Sequence, residues 1–217
     1  MPSSVFLVDD HPLVREGLEK LISQHPDLTV CGQADSAAVA YDEIVRLHPD
    51  VAVIDLSLAG ASGLDLIKRL QDLSEPPAML VLSMHDDALH AERALRAGAR
   101  GYVAKRESTR KVVDGIRQVL QGQLFISATI AAEVMAKLVG APNLKSGSPI
   151  DKLSDREMEI FRRIGMGHET RRIADDLHIS LKTVQTHCMH IKDKLGLDSA
   201  TQLMREAVRW VENDLKL

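Results

Sequence analysis

Five polar residues each stand at the end of a short apolar run. Asp9 and Asp10 follow Val5-Phe6-Leu7-Val8, Asp55 closes Val51-Ala52-Val53-Ile54, Ser83 closes Met79-Leu80-Val81-Leu82, and Lys105 closes Gly101-Tyr102-Val103-Ala104. A continuous apolar run suits a strand buried on both faces of a parallel sheet. Open α/β sheets carry their sites beyond the carboxyl ends of such strands. All five residues would then share one edge. Three carboxylates gathered there repel one another unless a cation sits among them. Hard carboxylate oxygens in an incomplete protein cage suit Mg2+, which keeps waters and binds phosphate oxygens. A lysine and a hydroxyl beside it complete a phosphate pocket. The chemistry this permits is phosphoryl transfer to a carboxylate: Asp55 attacks in line, the metal and Lys105 neutralise phosphoryl oxygens, and Ser83 donates a hydrogen bond. Taken singly, each residue has a plainer use: an Asp pair as a turn or cap, a Ser as a helix cap, a Lys as a solvated charge. Their recurrence at successive strand ends is what argues for a site.

The elements that must position them are legible in the same text. After Asp10, Leu13/Val14, Leu18 and Leu21/Ile22 recur at helical spacing, with Pro12 tolerated in a first turn. Leu28 to Cys31 reads as a second strand. Ala37 to Leu47 reads as a helix with Val39, Ile44 and Leu47 inward, followed by the Asp55 strand and a loop through Ala59-Gly60-Ala61-Ser62-Gly63. Helices are expected over Leu64 to Leu70, His90 to Ala97 and around Val112, Ile116, Val119 and Leu120. Strands and helices alternating in this way predict an α/β doubly wound fold on a five-stranded parallel sheet.

The pattern changes after residue 122. Residues 123–149 read as a linker with one helix, Ile130 to Val139, and a flexible connector through Gly140-Ala141-Pro142-Asn143 and Ser146-Gly147-Ser148-Pro149. Residues 150–217 read as a small all-α domain. Ser154-Asp155-Arg156-Glu157 is a capping box, with Leu153 and Met158 placed as its hydrophobic staple. A short helix, Thr170 to Leu177, and a tight connection at His178-Ile179 lead to Ser180 as the N-cap of a helix running to Leu195 and stopped by Gly196. Two helices joined so closely match a helix-turn-helix. A last helix is expected over Ala200 to Val211.

Composition excludes some classes. The chain has 217 residues, 45% hydrophobic and 27% charged, an ordinary globular balance. Aromatics at 3% argue against a stacking surface for single-stranded nucleic acid. No apolar run approaches the ~18 residues of a membrane span. Met1-Pro2-Ser3-Ser4 carries no basic leader, and Cys31 and Cys188 stand far apart without metal spacing. A reduced, cytoplasmic setting without a membrane partner is expected.

Val8-Asp9-Asp10-His11-Pro12, the Asp55 strand, Leu82-Ser83-Met84 and Gly101-Tyr102-Val103-Ala104-Lys105 together resemble the receiver domain of a two-component response regulator, over about residues 1 to 122. The resemblance implies a flavodoxin-like receiver in which a sensor histidine kinase phosphorylates Asp55. It implies that Asp10 binds Mg2+ directly and Asp9 mainly through water, with the Ser57 carbonyl as a further ligand. Ser83 and Lys105 would hold the phosphoryl group, and Tyr102 would be the aromatic that turns inward when Ser83 engages it. The chain departs from the family at Leu58-Ala59-Gly60, usually Met-Pro-Gly, and at Arg106, where many receivers carry proline. His85, in the switch loop, is expected to be exposed.

Ser154-Asp155-Arg156-Glu157, Ile173-Ala174, Ile179 to Val184, His187, Ile191 and Lys194-Leu195-Gly196 resemble the LuxR-type helix-turn-helix of the NarL/FixJ subfamily. That implies double-stranded promoter DNA as a partner, read in the major groove at paired half-sites by a homodimer. On the implied reading helix, Val184, Cys188, Ile191 and Leu195 form an inward stripe. Gln185, Thr186 and Met189 lie opposite, where base edges are reached. Ser180, Lys182, Thr183 and Lys192, with Arg171 and Arg172 before them, are candidates for phosphate contacts. The final helix, with Leu203, Val208 and Trp210, is either a dimer surface or part of the domain core.

The chain carries net charge −4, and Pro149 to Leu217 holds 12 basic and 12 acidic residues. Family members commonly carry a basic residue where Gln185 stands, and often another where Met189 stands. Two other classes are weighed against this reading. An aspartyl-phosphate phosphohydrolase would want a second carboxylate where Ser57 stands, so no enzymatic activity is expected beyond phosphorylation and autodephosphorylation at Asp55. A phosphorylation-gated switch whose helical domain docks a protein would suit the neutral charge.

Overall fold

The computed structural model describes residues 1–58, 62–84, 88–106, 109–139, 149–177 and 179–214. The loop at Ala59-Gly60, His85, the connector over 140–148 and His178 lie outside the described residues. Two compact units result, Met1–Pro142 and Asn143–Leu217.

In the first unit, β1 (Ser3–Val8), β2 (Leu28–Ala34), β3 (Val51–Asp55), β4 (Ala78–Ser83) and β5 (Gly101–Ala104) form one sheet in the order β2-β1-β3-β4-β5. All pairings are parallel. The helices α1 (Pro12–Ile22), α2 (Ala37–Leu47), α3 (Gly63–Gln71), α4 (Ala88–Ala97) and α5 (Thr109–Leu120) alternate with the strands. Two apolar clusters cover the two faces of the sheet. One gathers Phe6, Ile54, Val81 and Tyr102 with α2, α3 and α4, and the other gathers Leu7, Val53, Leu80 and Val103 with α1 and α5. The expected doubly wound arrangement is therefore present, and β3 is buried along its whole length.

Two expectations within this unit need correction, the inward place of Val39 and the linker. Val39 is 48% exposed, because Ala37, Ala40 and Ile44 share the inner face of α2 and Val39 points away from it. Leu13 is likewise exposed, because Leu18 and Ile22 carry the inner stripe of α1. The segment read as linker from residue 123 is built onto the first unit. Phe125 bridges to Gly101, accepts from the Tyr102 N–H and donates to the Arg100 carbonyl, which covers the open edge of β5. Beyond it, α6 (Ala128–Val139) packs against α4 and buries Ile130 in the sheet's core.

The second unit is helical: a 3-10 turn at Pro149–Lys152, then α7 (Asp155–Gly165), α8 (Thr170–Asp176), α9 (Leu181–Leu195) and α10 (Ala200–Asp214). The capping box at Ser154 and Glu157 is formed in both directions, and the staple residues Leu153 and Met158 are buried. Ser180 caps α9 by accepting from the Thr183 N–H, and Gly196 ends it in the left-handed conformation that glycine adopts without cost. At Gly165 a Cβ would meet the Ala207 carbonyl oxygen at 2.4 Å, so the crossing of α7 and α10 requires glycine. Leu203, Ala207 and Val211 form the inner face of α10, and Trp210 lies against Phe161 with ring centroids 6.1 Å apart. Leu203 and Trp210 thus pack inside the domain.

Candidate functional site

The carboxyl edge of the sheet carries the acidic residues. Val8 pairs with Ile54, Asp55 with Leu82 and Ser83 with Ala104, so the strands end side by side. Asp55 is the last residue of β3, Asp9 follows β1, Ser83 ends β4, and Lys105 is the first residue beyond β5. Asp9, Asp55 and Ser83 are buried. The Lys105 ammonium donates to Asp9 Oδ2 at 2.6 Å and to Asp55 Oδ2 at 2.7 Å, reaching from the end of β5 past β4 to the ends of β3 and β1. The Ser57 N–H approaches Asp55 Oδ1 at 3.3 Å, so both oxygens of Asp55 are held. The Lys105 loop is tied to β4 by its own N–H, which donates to the Ser83 carbonyl.

Charge balance explains the titration of the pocket. Burial pushes the Asp55 carboxyl up; Lys105 opposes this, and Asp9 reinforces it. Burial pulls the Lys105 ammonium down, but Asp55 and Asp9 together carry it above its ordinary value. Two buried carboxylates face one ammonium, so the pocket is short of positive charge and holds protons more tightly on both partners. Asp10 adds a third carboxylate at the mouth. Ligand atoms of Asp9, Asp10, His11 and Asp55 lie within 4.8 Å of one another. An all-carboxylate core with excess negative charge fits a hard divalent cation. His11, read from the sequence only as part of a motif, has Nδ1 2.7 Å from Asp10 Oδ1 and donates its N–H to Asp9 Oδ1.

Tyr102 is wholly buried, at 1% exposure, and not the half-buried edge aromatic that a plain strand position would give. Gly63, read in the sequence only as the end of the loop after Asp55, opens α3. A Cβ there would meet the Asp55 carbonyl oxygen at 2.2 Å and the Leu56 Cα at 2.8 Å, so the start of α3 rests directly on the backbone that carries Asp55. Its signal was present as the glycine that opens the helix after the loop.

In the helical unit, Val184 and Ile191 are fully buried, while Cys188 and Leu195 are half-buried. Burial pushes the Cys188 thiol up, which leaves it a poor nucleophile. Gln185, Thr186 and Met189 are exposed together on α9, as is Lys182, while Lys192 is partly covered; Arg171 and Arg172 are exposed on α8. The Ser180 and Thr183 hydroxyls lie 2.8 Å apart and serve the cap, and Thr186 Oγ1 donates to the Lys182 carbonyl. Arg172 lies 3.9 Å from Asp176.

A receiver-type sheet with an acidic edge, followed by a helix-turn-helix unit, defines a class of protein. Residues 5–117 match the family model described as response regulator receiver domain, and residues 151–207 match the one described as bacterial regulatory proteins, luxR family. The chain is 32% identical over 204 residues to the Fimbriae Z protein of Salmonella typhimurium, covering 94% of this chain and 95% of that protein. It is 32% identical over 209 residues to the oxygen regulatory protein NreC of Staphylococcus aureus, covering 94% and 96%. Among solved structures it resembles a LuxR-family two-component response regulator from an Aurantimonas species, with TM-score 0.60 and 34% identity over 64% of this chain and 99% of that one. The chain belongs to the response regulators of the NarL/FixJ subfamily, with a receiver domain and a LuxR-type DNA-binding domain. Among the described residues no helix is long and apolar enough to cross a membrane.

Proposed function

We propose that this regulator is switched by phosphorylation of Asp55, with a sensor histidine kinase as donor and Mg2+ as cofactor, and that the switch controls dimerisation and promoter binding. The observation that carries the reading is the pair of buried carboxylates, Asp9 and Asp55, meeting one Lys105 ammonium at 2.6 and 2.7 Å. The ion would be held by Asp10, Asp55 and the Ser57 carbonyl, with Asp9 acting through water. When bound it neutralises charge on the phosphoryl oxygens. Asp55 supplies the attacking oxygen. For that, its Oδ2 must exchange the Lys105 hydrogen bond for the phosphorus, and Lys105 then turns to a phosphoryl oxygen. Ser83 donates to another. Those contacts exist only in the phosphorylated state, so they bias the equilibrium of the loops that bear Ser83 and Lys105 and of Tyr102 beneath them. The protein's own chemistry is confined to accepting the group and losing it again to water.

On the DNA side, Gln185, Thr186 and Met189 read base edges in the major groove, and a symmetric dimer spans two half-sites. Lys182, Lys192, Arg171 and Arg172 contact phosphates, with Ser180 and Thr183 in a lesser part because their hydroxyls already serve the cap. The balanced charge of the helical domain favours weak non-specific affinity, and it also supports a second reading in which this domain docks a protein.

The test is selection of bound sequences from promoter DNA, with and without Mg2+ and a small phosphodonor, using wild type and Asp55→Asn. A two-fold motif strengthened by the donor in the wild type alone is the expected result. The same motif bound equally in every sample would separate Asp55 from DNA affinity. Absence of any motif would favour the protein-docking reading.

A further inference from the structure

A second group of metal-capable side chains lies in the helical unit, between α7 and α9. Glu157 of α7 and His187 and His190 of α9 offer ligand atoms that all lie within 4.8 Å of one another. A spacing of three residues puts the two imidazoles on adjoining positions of one helix face. Glu157 is 3% exposed and uses its two oxygens differently. Oε2 accepts from the Ser154 N–H at 2.7 Å and from the Lys194 ammonium at 2.6 Å. Oε1 lies 3.9 Å from His190 Nδ1, too far for a hydrogen bond. The Nδ1 of His187 is buried and has no hydrogen-bond partner among the described residues. A buried polar atom in that state is normally matched by an ion or water. Burial also lowers the His187 pKa, which keeps the ring in the neutral form that ligates metals.

We propose that Glu157, His187 and His190 bind one divalent cation of the zinc class, with a fourth position open to water, as in sites built from two histidines and a glutamate. The surrounding charge decides the class of metal. Lys194 offsets Glu157, and Arg156, which pairs with Glu159 at 2.8 Å, adds a further positive group near His187. A hard ion such as Mg2+, which depends on net negative charge, gains little there. A borderline ion that bonds strongly to imidazole gains from both rings. The bound ion ties α9 to α7 through side chains distinct from Gln185, Thr186 and Met189, and so steadies the helix that carries the proposed reading face.

The test is calorimetric titration of the full chain with Zn2+ in millimolar Mg2+, paralleled by Co2+ absorption, on wild type, His190→Asn and Asp10→Asn. The His190 side chain is 51% exposed, so its replacement leaves the core in place, which circular dichroism checks. One Zn2+ per chain and a visible Co2+ band are expected in the wild type and in Asp10→Asn. His190→Asn should weaken Zn2+ by at least ~10-fold and erase the band. Equal Zn2+ affinity in wild type and His190→Asn, loss of the site in Asp10→Asn, or no uptake by the wild type would each overturn the proposal.

Discussion

The Asp55 carboxylate is held at both oxygens, yet its neighbourhood disfavours its charge. Burial raises its pKa, Lys105 counters this only in part, and Asp9 adds to the rise. A carboxyl whose folded pKa lies above its unfolded value contributes stability at low pH and loses it as pH rises through the folded value. At neutral pH without a cation, Asp55 therefore costs stability. Asp55→Asn should raise the melting temperature in chelator by a few degrees, about what ~1 kcal/mol produces in a unit of this size. The same variant should accept no phosphoryl group from a small donor, as read by intact-protein mass. An unchanged or lowered melting temperature would mean that Lys105 outweighs burial. Gly63→Ala should disturb the same residue from behind, since a methyl there meets the Asp55 carbonyl.

Element ends and element ties set the next scale. The cap on α9 satisfies an N–H that would otherwise lack a partner, and Ser180→Ala should cost about 1 kcal/mol by denaturant unfolding of the helical unit. A loss below a few tenths would mean that Thr183 compensates. In the first unit, Arg117 of α5 grips Asp27 in the loop before β2 through two hydrogen bonds, at 2.8 and 2.9 Å. The Arg117 hydrogen bond leads the causes that hold the Asp27 carboxyl at about 2, below its ordinary 3.8. The tie is present above pH 3.8 and is lost as pH falls toward 2. Carboxyl NMR should show Asp27 titrating about two pH units below an ordinary aspartate, and Arg117→Gln should return it to normal. The covering of β5 by Phe125 and of α4 by α6 belongs to this scale too. Both come from residues after the point where the sheet pattern ends.

At the scale of the molecule, the proposed function gives the two units different ligands. A cation that binds only the folded acidic pocket stabilises it by mass action. Millimolar Mg2+ should therefore raise the unfolding transition of the first unit in the wild type and leave it unmoved in Asp10→Asn, as read by calorimetry. DNA affinity should fall only gently with salt. Four basic candidates, Lys182, Lys192, Arg171 and Arg172, give a slope of log K against log salt no steeper than about −4 per domain. A much steeper slope would mean that basic residues outside this set reach the backbone.

The sequence by itself determined the alternation of strands and helices, the sites of the caps at Ser154 and Ser180, and the placing of Asp9, Asp55, Ser83 and Lys105 at strand ends. Apolar runs, helical periodicity and capping chemistry are local, so a linear text carries them. Tertiary structure alone decided which face of each helix turns inward. Val39 and Leu13 are as apolar as their neighbours, but only the sheet beneath α1 and α2 selects the buried stripe. It decided that residues from Phe125 through α6 join the first unit, because an open strand edge and an uncovered α4 are visible only once the sheet exists. It also decided the direction in which burial and neighbours push Asp55 and Lys105, and the meeting of Glu157 with His187 and His190. Both depend on distances between residues far apart in the chain, which spacing in sequence does not encode.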